Sequence, residues 1–199
     1  VKLITRIGLV CIFLISNQTR AKVEDWYTFW GLGVSNISYS GERKTEIESF
    51  RQGDSSVTGR HLNAFGFYFP IDNNSIYGVV AQGVTSTFTV ASHIIDKINY
   101  NDSMLAFSYM KFYGNEIGDG LFYRADFGYA QATRTISLKT SNAKDNKYKY
   151  GNGVSALLAG GYAIETSEQS RLLISLEYKT GFVSDHQMNS LGLTVNGLW

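Results

Sequence analysis

Two pairs of opposite charges sit two residues apart in this chain, Arg124 with Asp126 and Glu177 with Lys179. On an extended strand, residues i and i+2 share a face, so each pair could neutralise itself or meet the other across an enclosed space. Such a cluster is either a plug that stiffens an interior or a gate along a polar track. The plug is preferred, because an unpaired ion in a narrow interior is expensive.

The three histidines, His61, His93 and His186, raise a second chemistry. Ser92 precedes His93, and Ser184 and Asp185 precede His186; a serine activated by a histidine base is the start of a hydrolytic site. Catalysis needs a nucleophile, a base and an orienting group that converge. No spacing of His, Ser and Glu on a strand supplies them, and adjacency in a polar stretch is not a triad. No catalytic residue is therefore assigned. Metal binding finds no support: no two histidines are close in sequence, Cys11 is the only thiol, and the acids between Glu42 and Glu48 alternate with bases. No cofactor is expected. Lys144, Lys147 and Lys149, interleaved with Tyr148 and Tyr150, form a basic-aromatic stretch suited to phosphates or another polyanion, although such runs are more often plain solvated loop.

These residues need a scaffold, and composition points to its class. Of 199 residues 20 are glycine and 14% aromatic, with one proline and one cysteine, a mix that favours pleated sheet over helix in a single domain. The start reads as an export signal: Lys2 and Arg6 precede an apolar run over residues 7–15, and Ala21 offers a small-residue cleavage site. Residues 1–21 are thus expected to be a signal peptide and 22–199 the mature domain. Cys11 would leave with the signal; lipid attachment there is disfavoured by the bulky Val10 before it. Without Lys2, Arg6 and Arg20 there remain 15 bases against 17 acids. That balance excludes a nucleic-acid partner, which needs a concentrated basic surface.

After Ala21, alternation with period two dominates. Leu172, Ile174, Leu176 and Tyr178 lie on one face of their segment and Arg171, Ser175, Glu177 and Lys179 on the other, with Leu173 out of phase. Leu121, Tyr123, Ala125, Phe127 and Tyr129 alternate with a face that holds Arg124 and Asp126. Leu191, Leu193, Val195, Gly197 and Trp199 alternate with Ser190, Gly192, Thr194 and Asn196. Five less regular segments, near 26–39, 61–69, 75–88, 100–113 and 153–164, bring the expected strands to eight. Short turns at 71–74, 115–119 and 165–170 alternate with longer polar connections at 40–60, 89–99, 139–152 and 181–189, the asymmetry of a barrel with turns on one rim and loops on the other.

Alternation admits two solvents. A soluble barrel points its apolar face inward, whereas a membrane barrel points it at lipid and encloses the charges. The small polar face of the last segment suits a cramped interior. Aromatic residues near strand ends, among them Trp26, Trp30, Tyr178 and Trp199, suit the two headgroup levels. The expected fold is all-β, a closed antiparallel eight-stranded up-and-down transmembrane barrel. Its sheet must close because an open edge in hydrocarbon strands backbone donors and acceptors.

The glycine-aromatic strand over 120–130, the Gly-Gly-Tyr-Ala block at 160–163 and the closing strand carry a resemblance: residues 26–199 resemble the small outer-membrane barrels of the OmpX, OmpW and OmpA-transmembrane-domain type. The resemblance implies a bacterial outer-membrane location, outer-membrane lipids and lipopolysaccharide as surroundings, and recognition by the assembly machinery through a last strand that ends in an aromatic, here Trp199. It also implies a monomer with contacts made through extracellular loops, chiefly 40–60 and 139–152, and no enzymatic activity. Two alternatives come with the same scaffold: a lipid A-directed hydrolase, whose Ser-His site would lie at the outer rim near His61 and His186, and a narrow conduit for small apolar solutes. Nothing after the last strand resembles the peptidoglycan-binding domain of the OmpA type. In an SDS gel the unboiled protein is expected to migrate differently from the boiled one; identical mobilities under both conditions would contradict a closed barrel.

Overall fold

The computed structural model describes residues 25–51, 56–89, 95–138, 146–184 and 186–199. The expected signal peptide, with Cys11, lies outside the described residues, as do Ser92, His93, Lys144 and Asp185. The elements run β1 (Tyr27–Tyr39), α1 (Gly41–Arg51), β2 (Ser56–Asp72), β3 (Ser75–Thr89), β4 (Ile95–Phe112), β5 (Gly120–Leu138), β6 (Asn146–Ser167), β7 (Ser170–Val183) and β8 (His186–Leu198). Each strand pairs antiparallel with its neighbours, and β1 pairs with β8 in unbroken register from Phe29↔Leu198 to Tyr39↔Met188, so the eight strands close.

Every large residue that alternation placed on the apolar face of β5, β7 and β8 points outward, and Phe107 on β4 is the most exposed of all at 78%. An outer wall of Leu, Val, Ile, Phe, Tyr and Trp around a lumen of buried ions is the reverse of a water-soluble barrel. Leu173, out of phase in the sequence, points inward and is fully buried with Tyr27, Phe29, Tyr68, Ile76 and Phe112. In β2 the pattern is broken by a register shift between Asn63 and Phe65. Ala64 and Phe65 are both exposed there, and the bulge lets Leu62 and Phe69 share the outer face while His61 and Asn63 turn inward.

At one end sit the start of β1, the C-terminus and the turns. Asp72 accepts from the Asn74 amide at 2.9 Å, a bond that holds its carboxyl below the usual range and caps the β2–β3 turn. At this end Trp26 stacks on Phe67 and Trp30 on Trp199, with centroids 4.9 and 5.2 Å apart. Gly197 permits the second stack, since a Cβ there would strike the Trp199 indole. At the other end, the apolar wall gives way to an outward-facing ring of Asn36, Arg60, Thr85, Asn101, Gln131, Asn152, Thr180 and Asn189. Thr85 donates to Asn101 at 3.2 Å and Gln131 to Asn152 at 3.3 Å along it.

All four expected loops are corrected beyond this ring: the described residues of 89–99 belong to β3 and β4. Residues 40–60 hold α1 and the start of β2 rather than a plain loop. The described residues of 181–189 belong almost wholly to β7 and β8, with Val183 paired to His186. The described residues of 139–152 belong to β6, so Lys147, Tyr148, Lys149 and Tyr150 lie on a strand, not in a loop. The reason is common to the last two: above the hydrocarbon both faces of a strand meet water or polar groups, so alternation vanishes from the sequence although the hydrogen-bonded ladder continues.

Phe107→Arg should lower folding stability in phospholipid vesicles by about 2–4 kcal/mol, whereas Thr87→Arg, above the polar ring, should change it by about 1 or less. Urea titration of vesicle-inserted protein measures both; equal effects would remove the assignment of the outer wall to lipid.

Candidate functional site

The interior is layered. Next to the C-terminus, Tyr27, Phe29, Tyr68, Ile76, Met110, Phe112, Ile117, Phe122, Leu173 and Leu198 fill the lumen with apolar side chains. The β4–β5 connection closes that end: Ile117 is buried there, and Arg171 donates through Nε to its carbonyl at 3.0 Å.

Above this layer, β2, β3, β4, β5, β7 and β8 each contribute polar side chains to one network. Arg124 donates through Nε to both oxygens of Asp126 at 3.0 Å, and through Nη2 to Asp126 Oδ2 at 2.6 Å and Asn63 Oδ1 at 3.2 Å. Its Nη1 lies 3.5 Å from Glu177 Oε1, and its guanidinium covers the Phe29 ring at 4.8 Å. Asp126 also accepts from Gln82 at 2.7 Å and Ser108 at 2.5 Å. Glu177 Oε1 accepts from Thr194 at 2.7 Å, Ser175 at 3.1 Å and Asn63 at 3.3 Å. Its Oε2 faces His61 Nε2 at 3.3 Å. Asn63 and Asn196 are joined at 2.7 Å, and a Cβ on Gly31 would occupy the space of the Asn196 amide, which explains a glycine on the inner face of β1.

Arg124, Asp126, Glu177 and Lys179 are thus all buried in the lumen, and of the two spaced pairs Arg124 and Asp126 are joined while Glu177 and Lys179 are not. Arg124 bridges Asp126 and Glu177. Lys179 does not complete a pair with Glu177; its Nζ donates upward to the Asp102 carbonyl at 3.2 Å. His61, expected at the outer rim, is a correction: the β2 bulge turns it into the lumen, where it is buried against Glu177 and Gln82. His186 is at the helix end of β8, edge-on to Tyr150 with centroids 5.5 Å apart. Among the described residues no serine hydroxyl bonds to a histidine ring, and no group of three or more His, Cys, Asp or Glu is placed to hold a metal ion.

Sequence reasoning missed Asp102 and Arg43, which close the top. Arg43, on α1, is buried and pairs with Asp102 of β4 at 2.8 Å. Ile47 packs from the same helix onto Ile37, Val84, Phe88, Ile98 and Met188. Glu46 pairs with Arg134 and accepts from Tyr150 at 2.6 Å. Burial and that carboxylate push the Tyr150 hydroxyl up to about 12, so it donates throughout the physiological range. The signal available for Asp102 was an acid two residues before Met104 on the inner face of a strand. For α1 there was the spacing of Arg43, Glu46 and Ile47, three and four residues apart on one side of a helix.

Of the aromatic residues assigned to the interfaces, Trp26, Trp30 and Trp199 lie outward at the terminus end. Tyr178 lies outward at the opposite boundary, its hydroxyl donating to Asn189 of the polar ring at 3.2 Å.

No protein-family model matches the chain, and no curated protein sequence does. Among solved structures, the chain is similar to neisserial surface protein A, with a TM-score of 0.57 at 10% identity over 88% of this chain and 96% of that one. It is also similar to Ail, the attachment invasion locus protein of Yersinia pestis, in complex with the heparin analogue sucrose octasulfate, with a TM-score of 0.52 at 10% identity over 88% of this chain and all of that one. A second structure of Ail matches with a TM-score of 0.51 at 11% identity over 89% of this chain. At such identities the likeness shows the fold, that of small eight-stranded outer-membrane barrels, and nothing about ligand.

Asp126→Leu leaves the buried Arg124 short of its main partner and should cost about 3–5 kcal/mol of folding stability, while Arg124→Met/Asp126→Leu should recover part of the loss. Urea unfolding in detergent ranks the two; a single variant as stable as the parent would show that the pair carries no such cost.

Proposed function

We propose that the protein is a non-enzymatic integral protein of the bacterial outer membrane that engages polyanionic groups at the cell surface through the outer wall of its helix end. The observation that supports this most is the charge of that wall. From the polar ring outward, β2 to β6 direct Arg60, Lys97, Lys147 and Lys149 to the outer surface among threonines and asparagines, with no outward carboxylate among the described side chains of those stretches. Arg60 and Lys97 line one shallow groove with Thr58, Thr85, Thr87 and Asn99. Cations concentrated on one wall raise the local concentration of anions beside it. Arg60 stands two residues beyond Leu62 of the apolar band, the level at which lipid phosphates begin, and Lys97, Lys147 and Lys149 stand further out.

The helix end then faces the outside of the cell, and the C-terminus and turns face the periplasm. Residues 1–21 direct export, β8 with its aromatic end is the strand read by the assembly machinery, and the barrel works as a monomer surrounded by lipopolysaccharide. The polyanion is a sulfated or phosphorylated sugar, the chemistry of the sucrose octasulfate bound to Ail. A conduit for apolar solutes is disfavoured, because the lumen is filled from the apolar layer through the ionic network to α1.

Replacing Arg60, Lys97, Lys147 and Lys149 together by glutamine should weaken binding of sucrose octasulfate about tenfold or more at low salt, since each exposed ion pair contributes roughly 0.2–1 kcal/mol. Raising the salt should weaken the parent in the same direction. Calorimetry on the detergent-solubilised barrel reads both, and an unchanged affinity in the variant would remove the wall as the binding surface.

A further inference from the structure

Arg43 is held in an aromatic cage. Its guanidinium lies 4.8 Å from the Tyr39 ring, 5.2 Å from Tyr100 and 5.1 Å from Tyr150, with the Asp102 carboxylate at the floor. Three ring faces around a carboxylate recognise a flat cation better than an ammonium, because guanidinium stacks as well as pairs. We propose that Tyr39, Tyr100, Tyr150 and Asp102 form a guanidinium-binding site, closed by Arg43 of the same chain, that takes an arginine side chain of a partner polypeptide.

The resident side chain fills the site imperfectly. Nη1 alone donates to both carboxylate oxygens, at 2.8 and 2.9 Å, whereas Nε and Nη2 are buried with no acceptor among the described residues. Two parallel bonds from adjacent nitrogens are the stronger arrangement for guanidinium on carboxylate. Arg43 is tied to a helix backbone and does not reach it; an arginine entering from outside has no such tether. The element that must move is α1. The helix α1 has 11 residues, too few to be stable alone in water, and it is anchored by Arg43, Glu46 and Ile47 while its other described side chains are more exposed. Displacing it opens the cage toward the helix end. The site lies inside the mouth, apart from the outer wall, so its failure leaves the polyanion reading standing.

The test uses full-length barrel in detergent micelles with ring-labelled tyrosine, read by NMR. In Arg43→Ala, shown folded by its heat-modifiable mobility, N-propylguanidinium should saturate with millimolar affinity and shift the rings of Tyr39, Tyr100 and Tyr150. The neutral N-propylurea should bind at least tenfold more weakly, and Arg43→Ala/Asp102→Asn should lose the response. In the parent protein a tetra-arginine peptide should shift the same rings with lower apparent affinity, since α1 must first leave. Equal binding of the urea would overturn the cage, and a parent protein unresponsive to the peptide would overturn the external partner. Should Arg43→Ala not fold, peptide titration of the parent against Asp102→Asn decides: a response surviving in Asp102→Asn refutes the proposal.

Discussion

Hydrocarbon offers the backbone no hydrogen-bond partner, and the rest of this structure follows from that constraint. A sheet surrounded by lipid must spend every N–H and C=O on a neighbouring strand, so β1 meets β8 and the eight strands become a wall without edges. Closure inverts the usual logic of a protein interior. The greasy side chains are used outside, and the enclosed space, only wide enough for side chains, receives what lipid would reject. Charges in that space cannot be hydrated by bulk water, so they have to balance each other. In the middle and upper lumen Arg43, Arg124 and Lys179 stand against Asp102, Asp126 and Glu177, each within a few residues' height of an opposite charge.

Closure also accounts for how much was readable in the amino-acid order. Where one face of a strand meets lipid and the other the lumen, the two environments differ maximally and the residues alternate; β5, β7 and β8 were legible for this reason, down to the inward Arg124, Asp126, Glu177 and Lys179. In β2 a single bulge at Ala64 and Phe65 shifts the phase by one, which blurs the pattern and turns His61 from an expected rim residue into a lumenal one. Outside the membrane both faces are polar, so the ends of β5 and β6 read as loop. Beyond the Arg124–Asp126 pair, the partners of the lumenal ions were not legible. Asn63 reaches Glu177 across 114 residues of chain, and Ser108 reaches Asp126 across 18; only the barrel's register sets such neighbours side by side, and a local pattern carries no trace of it. The helix α1 was hidden differently, since among its described side chains the packing stripe is Arg43, Glu46 and Ile47, and two of those look like ordinary solvent-facing charges.

The two ends solve the same problem with different materials. At the terminus end the lumen is stopped by aromatic and aliphatic packing, to which the β4–β5 connection adds Ile117, and the outer rim is stiffened by the Trp30–Trp199 and Trp26–Phe67 stacks. Apolar filling there needs no partner of defined charge. At the helix end the stopper is ionic and aromatic: Arg43 on Asp102, Glu46 between Arg134 and Tyr150, with Ile47 as the one aliphatic anchor. Such contacts lose less on contact with water than an apolar core does, which suits the end whose neighbours are solvent and charged headgroups.

Asp102 joins these two levels. Its carboxylate holds Arg43 of α1, and its backbone carbonyl accepts from Lys179. Glu177, two residues before Lys179 on the same face, is already occupied by Arg124, Thr194 and Ser175 on one oxygen and by His61 near the other. Lys179 turns upward instead, to the Asp102 carbonyl. If Arg43 left, the Asp102 carboxylate would lose its only guanidinium, and Lys179 would be the nearest lumenal cation able to swing toward it. The network thus contains its own substitute for the helix, and opening the mouth need not leave a bare charge in the barrel.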